Sequence, residues 1–182
     1  MIRPLLLPIL WFSLIQSAVA TESTERLQRL RDVMTERLAI MEQVARFKWN
    51  EGLPVEDKDR EAAVLEKTVG LAVAEGLNTK VATRVIKAQI EAAKFVQRAL
   101  FEKWRAMAKG KLADAPNLTV TLRPEISRLS NDLIAALIAA EDDLDDCFAR
   151  RILIPLPEAL TPFPRAWDAA VDGTLGAAGS CP

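Results

Sequence analysis

Apolar residues recur at intervals of three and four along almost the whole chain downstream of Thr21, a spacing that commits a sequence to α-helices with one buried face. The interruptions fall at helix punctuation. A first helix is expected over about 22–50, stopped by Gly52 and Pro54. A second is expected over about 56–75, with Gly76 as its left-handed C-terminal cap. Asn78 or Thr79 caps a third, which runs on to Lys109 and stops at Gly110. Pro124 sits where a first-turn proline belongs and opens a fourth, reaching about Arg150. A proline-rich stretch over 155–164 then precedes a short fifth helix near 165–171. Strand-like alternation is confined to Leu118 to Leu122, in the loop before the fourth helix. The expected fold class is therefore all-α, a single-domain bundle of about five helices.

The N-terminus reads differently. Arg3 precedes a nearly continuous apolar run over 5–15, and Ala18-Val19-Ala20 offers the small-x-small pattern of a signal-peptidase site. Residues 1–20 are expected to be an export signal cleaved after Ala20, leaving 21–182 as one helical domain. The alternative is a membrane anchor, but spanning a bilayer takes roughly 18 to 20 apolar residues, and this run, interrupted by Pro4 and Pro8, is shorter. No membrane association is expected after cleavage, and the location is expected to be periplasmic or secreted. Outside the reducing cytosol, Cys147 and Cys181 are naturally read as a disulfide, with two independent thiols as the alternative. Such a bridge pins the C-terminal tail over 176–180, which has little apolar surface of its own.

Several kinds of chemistry are excluded. The formal net charge is −1, and no basic patch marks a nucleic-acid or membrane-surface partner. The chain has no histidine and no tyrosine, which removes Ser-His and Cys-His pairs, imidazole zinc sites and Glu-x-x-His di-iron bundles. The acidic run over 141–146 lacks the glycine and alternating ligands of a calcium loop and reads as a solvated helix face.

Polar residues interrupt the apolar stripes. On the first helix Leu27, Leu30, Met34, Arg37, Met41, Val44 and Lys48 share one face, and two of them are cations. Arg37 and Lys48 lie three turns apart, roughly 16 Å along the axis, so their long side chains can lean toward a common point. The third helix carries Ile86, Ile90, Ala93, Gln97, Leu100 and Trp104, with an amide in mid-stripe and the small Ala93 beside it. An unpaired buried amide costs about 1 to 3 kcal/mol, so Gln97 is expected to meet a neighbour, water or a ligand. Asp57, Arg60, Glu61, Val64 and Thr68 form a mixed cluster near the start of the second helix, which alone reads as a solvated face. Arg37 or Lys48 alone reads equally well as a snorkelling side chain. Together they describe a pocket for a small dianion, suited to a reaction that needs positioning and electrostatic stabilisation.

These residues resemble the all-helical chorismate mutases, and in particular their exported branch. The resemblance rests on Glu36-Arg37-Leu38, Phe47-Lys48-Trp49 and Leu53-Pro54-Val55-Glu56-Asp57-Lys58-Asp59-Arg60-Glu61, in that order and spacing. It continues in Val81-Ala82-Thr83-Arg84-Val85-Ile86 and onward to Gln97, and covers about 26–104. It implies a cofactor-free Claisen rearrangement of chorismate to prephenate, linked to aromatic amino acid biosynthesis. By motif, Arg37 becomes a carboxylate clamp, and Lys48 contacts the ether oxygen and a nearby carboxylate. Arg60 is a second carboxylate-side arginine, Asp57 and Glu61 hold the substrate hydroxyl, and Gln97 is the second donor to the ether oxygen. In the exported branch a loop arginine completes the pocket within one chain, here Arg123 with Arg128 as the alternative; a homodimer is compatible but not required. The Cys147–Cys181 pairing also resembles that branch. Ala93 departs from the pattern, standing where the family usually has a small hydroxyl residue, and Gln97 stands where some relatives carry glutamate.

Two other readings compete: a secreted helical effector whose polar stripe marks a protein-binding groove, and a plain structural bundle. An enzyme loses its function when Arg37, Lys48 or Gln97 is changed with the helical signal intact, whereas a groove depends on exposed apolar residues.

Overall fold

The stripe read on the first helix is the spine of the fold. In the computed structural model, which describes residues 9–144 and 147–176 with side chains from residue 21 onward, Leu27, Leu30, Met34, Arg37, Met41 and Val44 are all buried. The helix begins earlier than expected, at Ile9, since its backbone extends unbroken from the segment read as the export signal. It also divides into α1 (Ile9–Ala39) and α2 (Met41–Asn50). The division barely disturbs the stripe: Ile40 keeps helical dihedrals, and both the Ile40 N–H to Glu36 and Val44 N–H to Ile40 bonds persist. Met41 and Val44 therefore stay in register with Arg37.

Four further changes follow from local chemistry. In α3 (Lys58–Ala74) the start moves back because Asp57 acts as N-cap, accepting the Arg60 N–H, with Gly76 beyond the C-terminus at φ 102°. In α4 (Thr79–Ala106) Asn78, not Thr79, is the cap, its side chain accepting the Lys80 and Val81 N–H groups. The helix ends short of Gly110 because Ala108 takes the left-handed position at φ 46° and the Lys109 N–H closes on Trp104 O. Leu118–Leu122 is a π-helical turn rather than a strand, nucleated by the Asn117 side chain on the Thr119 and Val120 N–H groups. It leads directly into α5 (Arg123–Ala140), which carries the expected first-turn proline.

The fourth expected helix does not reach Arg150 in one piece. It yields at Ala140 to a single 3₁₀ turn over Glu141–Asp143, and α6 (Cys147–Leu153) follows. Consecutive carboxylates repel one another along a helix, and Asp143 is drawn across to α1, where it accepts from Arg26 Nε at 2.9 Å and Ser23 Oγ at 2.7 Å. Asp145, Asp146 and the tail beyond Gly176, including Cys181, lie outside the described residues. The last helix, α7 (Pro164–Leu175), is longer than expected and lies along α4.

Among the described residues there are no strands, so the all-α class holds, with seven α-helices in place of five. No helix among them is long and apolar enough to cross a membrane. One apolar cluster joins α1, α4, α5, α6 and α7 around Trp167, whose indole N–H donates to Leu153 O at 3.1 Å. A second joins α2 to α4 through Met41, Val44, Ala93, Val96, Leu100 and Trp104. Asn50 fastens the α4–α5 connection by a reciprocal pair of 2.7 Å bonds with the Leu112 backbone, fixing the route by which Arg123 returns to α2.

The α4–α7 contact is close because Gly173 has no side chain. A Cβ there would lie 2.0 Å from Ala88 Cβ, backed by the helix itself. Gly173→Ala is expected to part the two helices and lower stability by about 2 kcal/mol or more, since overpacking outweighs the gain in helix propensity. In a chain of this size that is a fall in Tm of roughly 4 to 8 °C, read by circular dichroism.

Candidate active site

Five elements converge on one cavity of about 600 Å³: α1 and α2 on one side, the first turns of α3 and the middle of α4 across from them, and the start of α5 at the end. Arg37, Lys48, Asp57, Arg60, Glu61, Ala93, Gln97 and Arg123 all line it. Every residue singled out from the sequence as a pocket residue is thus on its wall. Arg128, the alternative to Arg123, is not. It lies half-exposed on the outer face of α5 and is engaged by Glu125 and Asp132.

Arg37 is the most unusual side chain. It is only 3% exposed, yet its Nε and Nη1 atoms have no hydrogen-bond partner among the described residues. Burial alone pushes the guanidinium well below its ordinary value, down to about 10, and no carboxylate offsets it. A buried cation with donors to spare is costly unless an anion meets it.

Lys48, half-buried on α2, points toward the same space. Its Nζ donates to Val55 O at 2.7 Å, which ties the α2–α3 connection to the cavity wall and leaves up to two N–H groups for a ligand. Burial pushes Lys48 below the ordinary lysine value, while Asp57, Glu61 and Glu56 pull the other way.

Gln97 is 5% exposed in the middle of the α4 stripe. Its Nε2 donates to Ala93 O at 3.1 Å and sits 3.8 Å from Met41 Sδ, while its Oε1 is buried without a partner. The thioether is a weak acceptor, so the second N–H can turn to a better oxygen at little cost. Ala93 beside it is 9% exposed and leaves the space a longer side chain would fill.

Across the cavity, the first turn of α3 presents Asp57, Arg60 and Glu61. Glu61 Oε1 accepts the Asp57 N–H at 3.1 Å and Oε2 accepts Lys94 Nζ at 2.8 Å. Burial opposes ionisation of Glu61, but these donors hold its carboxyl below the ordinary glutamate value. Arg60 and Arg123 are exposed at the rim. The walls therefore offer a buried cation, a half-buried cation, two rim arginines, a neutral amide and a fixed carboxylate, an arrangement whose chemistry suits a small molecule carrying two negative charges and a hydroxyl.

Sequence reasoning missed Lys94. It is 9% exposed on the cavity wall and bridges Glu61 and Glu91. Its position four residues after Ile90 and three before Gln97 placed it on the same face, and that spacing was the available signal. Ser127, Ser130 and Asn131 were also missed; with Arg123 they form an α5 face at helical spacing that closes the far end.

Fold and site together define an all-helical protein with a preformed cationic pocket for a small dianion. The chorismate mutase type II sequence pattern matches residues 28–98, the segment that carries Arg37, Lys48, Asp57, Arg60, Glu61 and Gln97. The chain belongs to the chorismate mutase family. It is similar to the crystal structure of chorismate mutase from Burkholderia thailandensis, at 36% identity, TM-score 0.69, and coverage of 82% of this chain and 96% of that one. The chorismate mutase from Burkholderia phymatum matches with TM-score 0.75 at 25% identity, over 84% of this chain and 97% of that one. The secreted chorismate mutase of Mycobacterium tuberculosis is 29% identical over 116 residues, which is 64% of this chain and 58% of that relative. The match thus spans less than two thirds of that curated relative's length.

Proposed function

We propose that the protein is a chorismate mutase, an isomerase that converts chorismate to prephenate by a single pericyclic step in which a C–O bond breaks as a C–C bond forms. The observation that carries this reading is the buried, acceptor-free Arg37 facing the same cavity as Lys48 and Gln97. In this reading Arg37 clamps one carboxylate of the substrate, and Arg60 and Arg123 neutralise charge at the rim. Lys48 and Gln97 donate to the ether oxygen, where negative charge grows in the transition state. Asp57 and Glu61 hold the hydroxyl. A fixed donor on a developing oxyanion is worth about 3 to 4 kcal/mol, so two donors and an enforced compact conformer supply the roughly 8 kcal/mol that a millionfold acceleration requires. No step needs a cofactor.

The family membership of residues 28–98 and the chemistry of the cavity support this over a protein-binding groove. The test is a proton NMR time course of chorismate with the purified chain and no added metal or cofactor. Stoichiometric appearance of prephenate is expected; persistence of chorismate beside a folded protein would refute the assignment.

Gln97 does not titrate, whereas glutamate in its place would have to be protonated to donate. Activity is accordingly expected to stay nearly flat from pH 5 to 8 and to fall on the alkaline side as Lys48 loses its proton, below the pH of an ordinary lysine. A steep fall between pH 5 and 8 without unfolding would remove Gln97 from this role.

We also propose that the protein is exported, with residues 1–20 removed, and acts in the periplasm or outside the cell. The secreted relative supports this, as does the fact that no described cysteine is a free thiol, which fits a Cys147–Cys181 bridge. In this reading Arg123 completes the pocket from the same chain, so a homodimer is compatible with activity but not needed for it.

A further inference from the structure

The first turn of α3 carries three cavity residues, yet of this helix only Thr68 and Ala72, both well downstream, are buried. Something else must hold its N-terminal end in place. Two cations one turn apart on α4 do so: Lys94 pairs with Glu61 at 2.8 Å, and Arg98 pairs with Glu56. The two pairs differ in what they face. Glu61 and Lys94 line the cavity, whereas Glu56 and Arg98 line a neighbouring concavity on the other side of Lys48 and Val55.

We propose that Lys94 is a positioning residue for the reaction: from α4 it fixes the Glu61 carboxylate at the cavity wall as the acceptor for the substrate's ring hydroxyl. The assignment rests on the chorismate mutase reading. Lys94 is committed to Glu61 and Glu91 and acts on the substrate through Glu61. With one Glu61 oxygen taken by the Asp57 N–H and the other by Lys94, the carboxylate cannot rotate, and the lone pairs left over point in set directions. The pairing also keeps it ionised, and an ionised acceptor makes the stronger bond to a hydroxyl. This matters more here than elsewhere, because Ala93 offers no hydroxyl of its own to the substrate. The groups around Glu61 are Lys94 and Glu91 from α4, Lys48 from α2, Glu56 and Asp57 from the segment before α3, and Arg60 on α3; Arg37 and Arg123 lie across the cavity.

The experiment compares kcat, KM and the pH dependence of kcat/KM for chorismate in wild type, Lys94→Met, Lys94→Arg and Arg98→Met. Without the cation Glu61 binds its proton more readily, so the acid limb of kcat/KM in Lys94→Met is expected to move upward by about one pH unit. KM is expected to rise roughly tenfold, with a smaller loss in kcat, since a hydroxyl contact made in ground and transition states alike appears mainly in KM. Lys94→Arg is expected to restore the acid limb. Arg98→Met is expected to lower Tm without moving the limb, since it breaks the neighbouring tie between α4 and the segment before α3 but leaves Glu61 held. Equal effects of Lys94→Met and Arg98→Met on Tm, with the acid limb unmoved in both, would reduce Lys94 to a structural tie and overturn the proposal. Absence of turnover in a folded wild type is a separate result, which overturns the reaction reading and this assignment with it.

Discussion

Lys48→Ala is expected to lower kcat by roughly 100- to 1000-fold while the far-ultraviolet circular dichroism spectrum keeps its helical signature. The size follows from geometry. Lys48 lines the cavity and is held by Val55 O at 2.7 Å, so its position is set before the substrate arrives. A donor fixed in advance stabilises developing negative charge without the reorganisation that water would need. Lys48→Arg is expected to recover little of the loss, because the planar guanidinium is longer and cannot keep both the Val55 contact and the aim of the ammonium. Steady-state kinetics at saturating chorismate separate this from a binding defect. A loss confined to KM would move Lys48 from the ether oxygen to simple charge pairing.

The second large effect runs in opposite directions on activity and stability. Arg37→Met is expected to lower kcat/KM by roughly 100- to 10,000-fold, the equivalent of removing one partner of a buried charge pair at about 3 to 5 kcal/mol. The same substitution is expected to raise Tm by about 2 to 12 °C, because replacing an uncompensated buried charge by an apolar chain of similar reach contributes about 1 to 3 kcal/mol. The sign follows from linkage. Arg37 has a folded-state value of about 10, lower than in the unfolded chain, so between the two values the unfolded state binds more protons and stability rises with pH. At neutral pH the whole cost of the buried charge is present, and Met removes it. Saturating chorismate is expected to raise the Tm of wild type and to leave Arg37→Met unmoved. A variant that lost stability along with activity would show that Arg37 is satisfied in the fold and is not held for a ligand.

Helix periodicity made the interior of the bundle legible. The stripe from Leu27 to Lys48 and that from Ile86 to Trp104 face the core or the cavity as their spacing required, and the polar interruptions at Arg37 and Gln97 were the mark of the site. What was not legible depended on contacts distant in sequence. The end of α5 at Ala140 reflects the pull of Arg26, 117 residues away, on Asp143. The left-handed turn at Ala108 stands two residues before the glycine that composition favoured. The role of Lys94 was not legible because nothing local announces that Glu61, 33 residues earlier, folds back onto it. The choice between Arg123 and Arg128 likewise needed the route of the α4–α5 connection, which Asn50 sets by clasping Leu112.

Loss of chorismate absorbance, followed with the purified protein and with its Lys48→Ala and Gln97→Ala variants, is the most direct measurement. Turnover by wild type that collapses in both variants, each still folded, is the predicted result and places both donors on the reacting oxygen. A folded, oxidised wild type that leaves chorismate untouched would contradict the reading of the cavity as an active site and point to a protein partner instead.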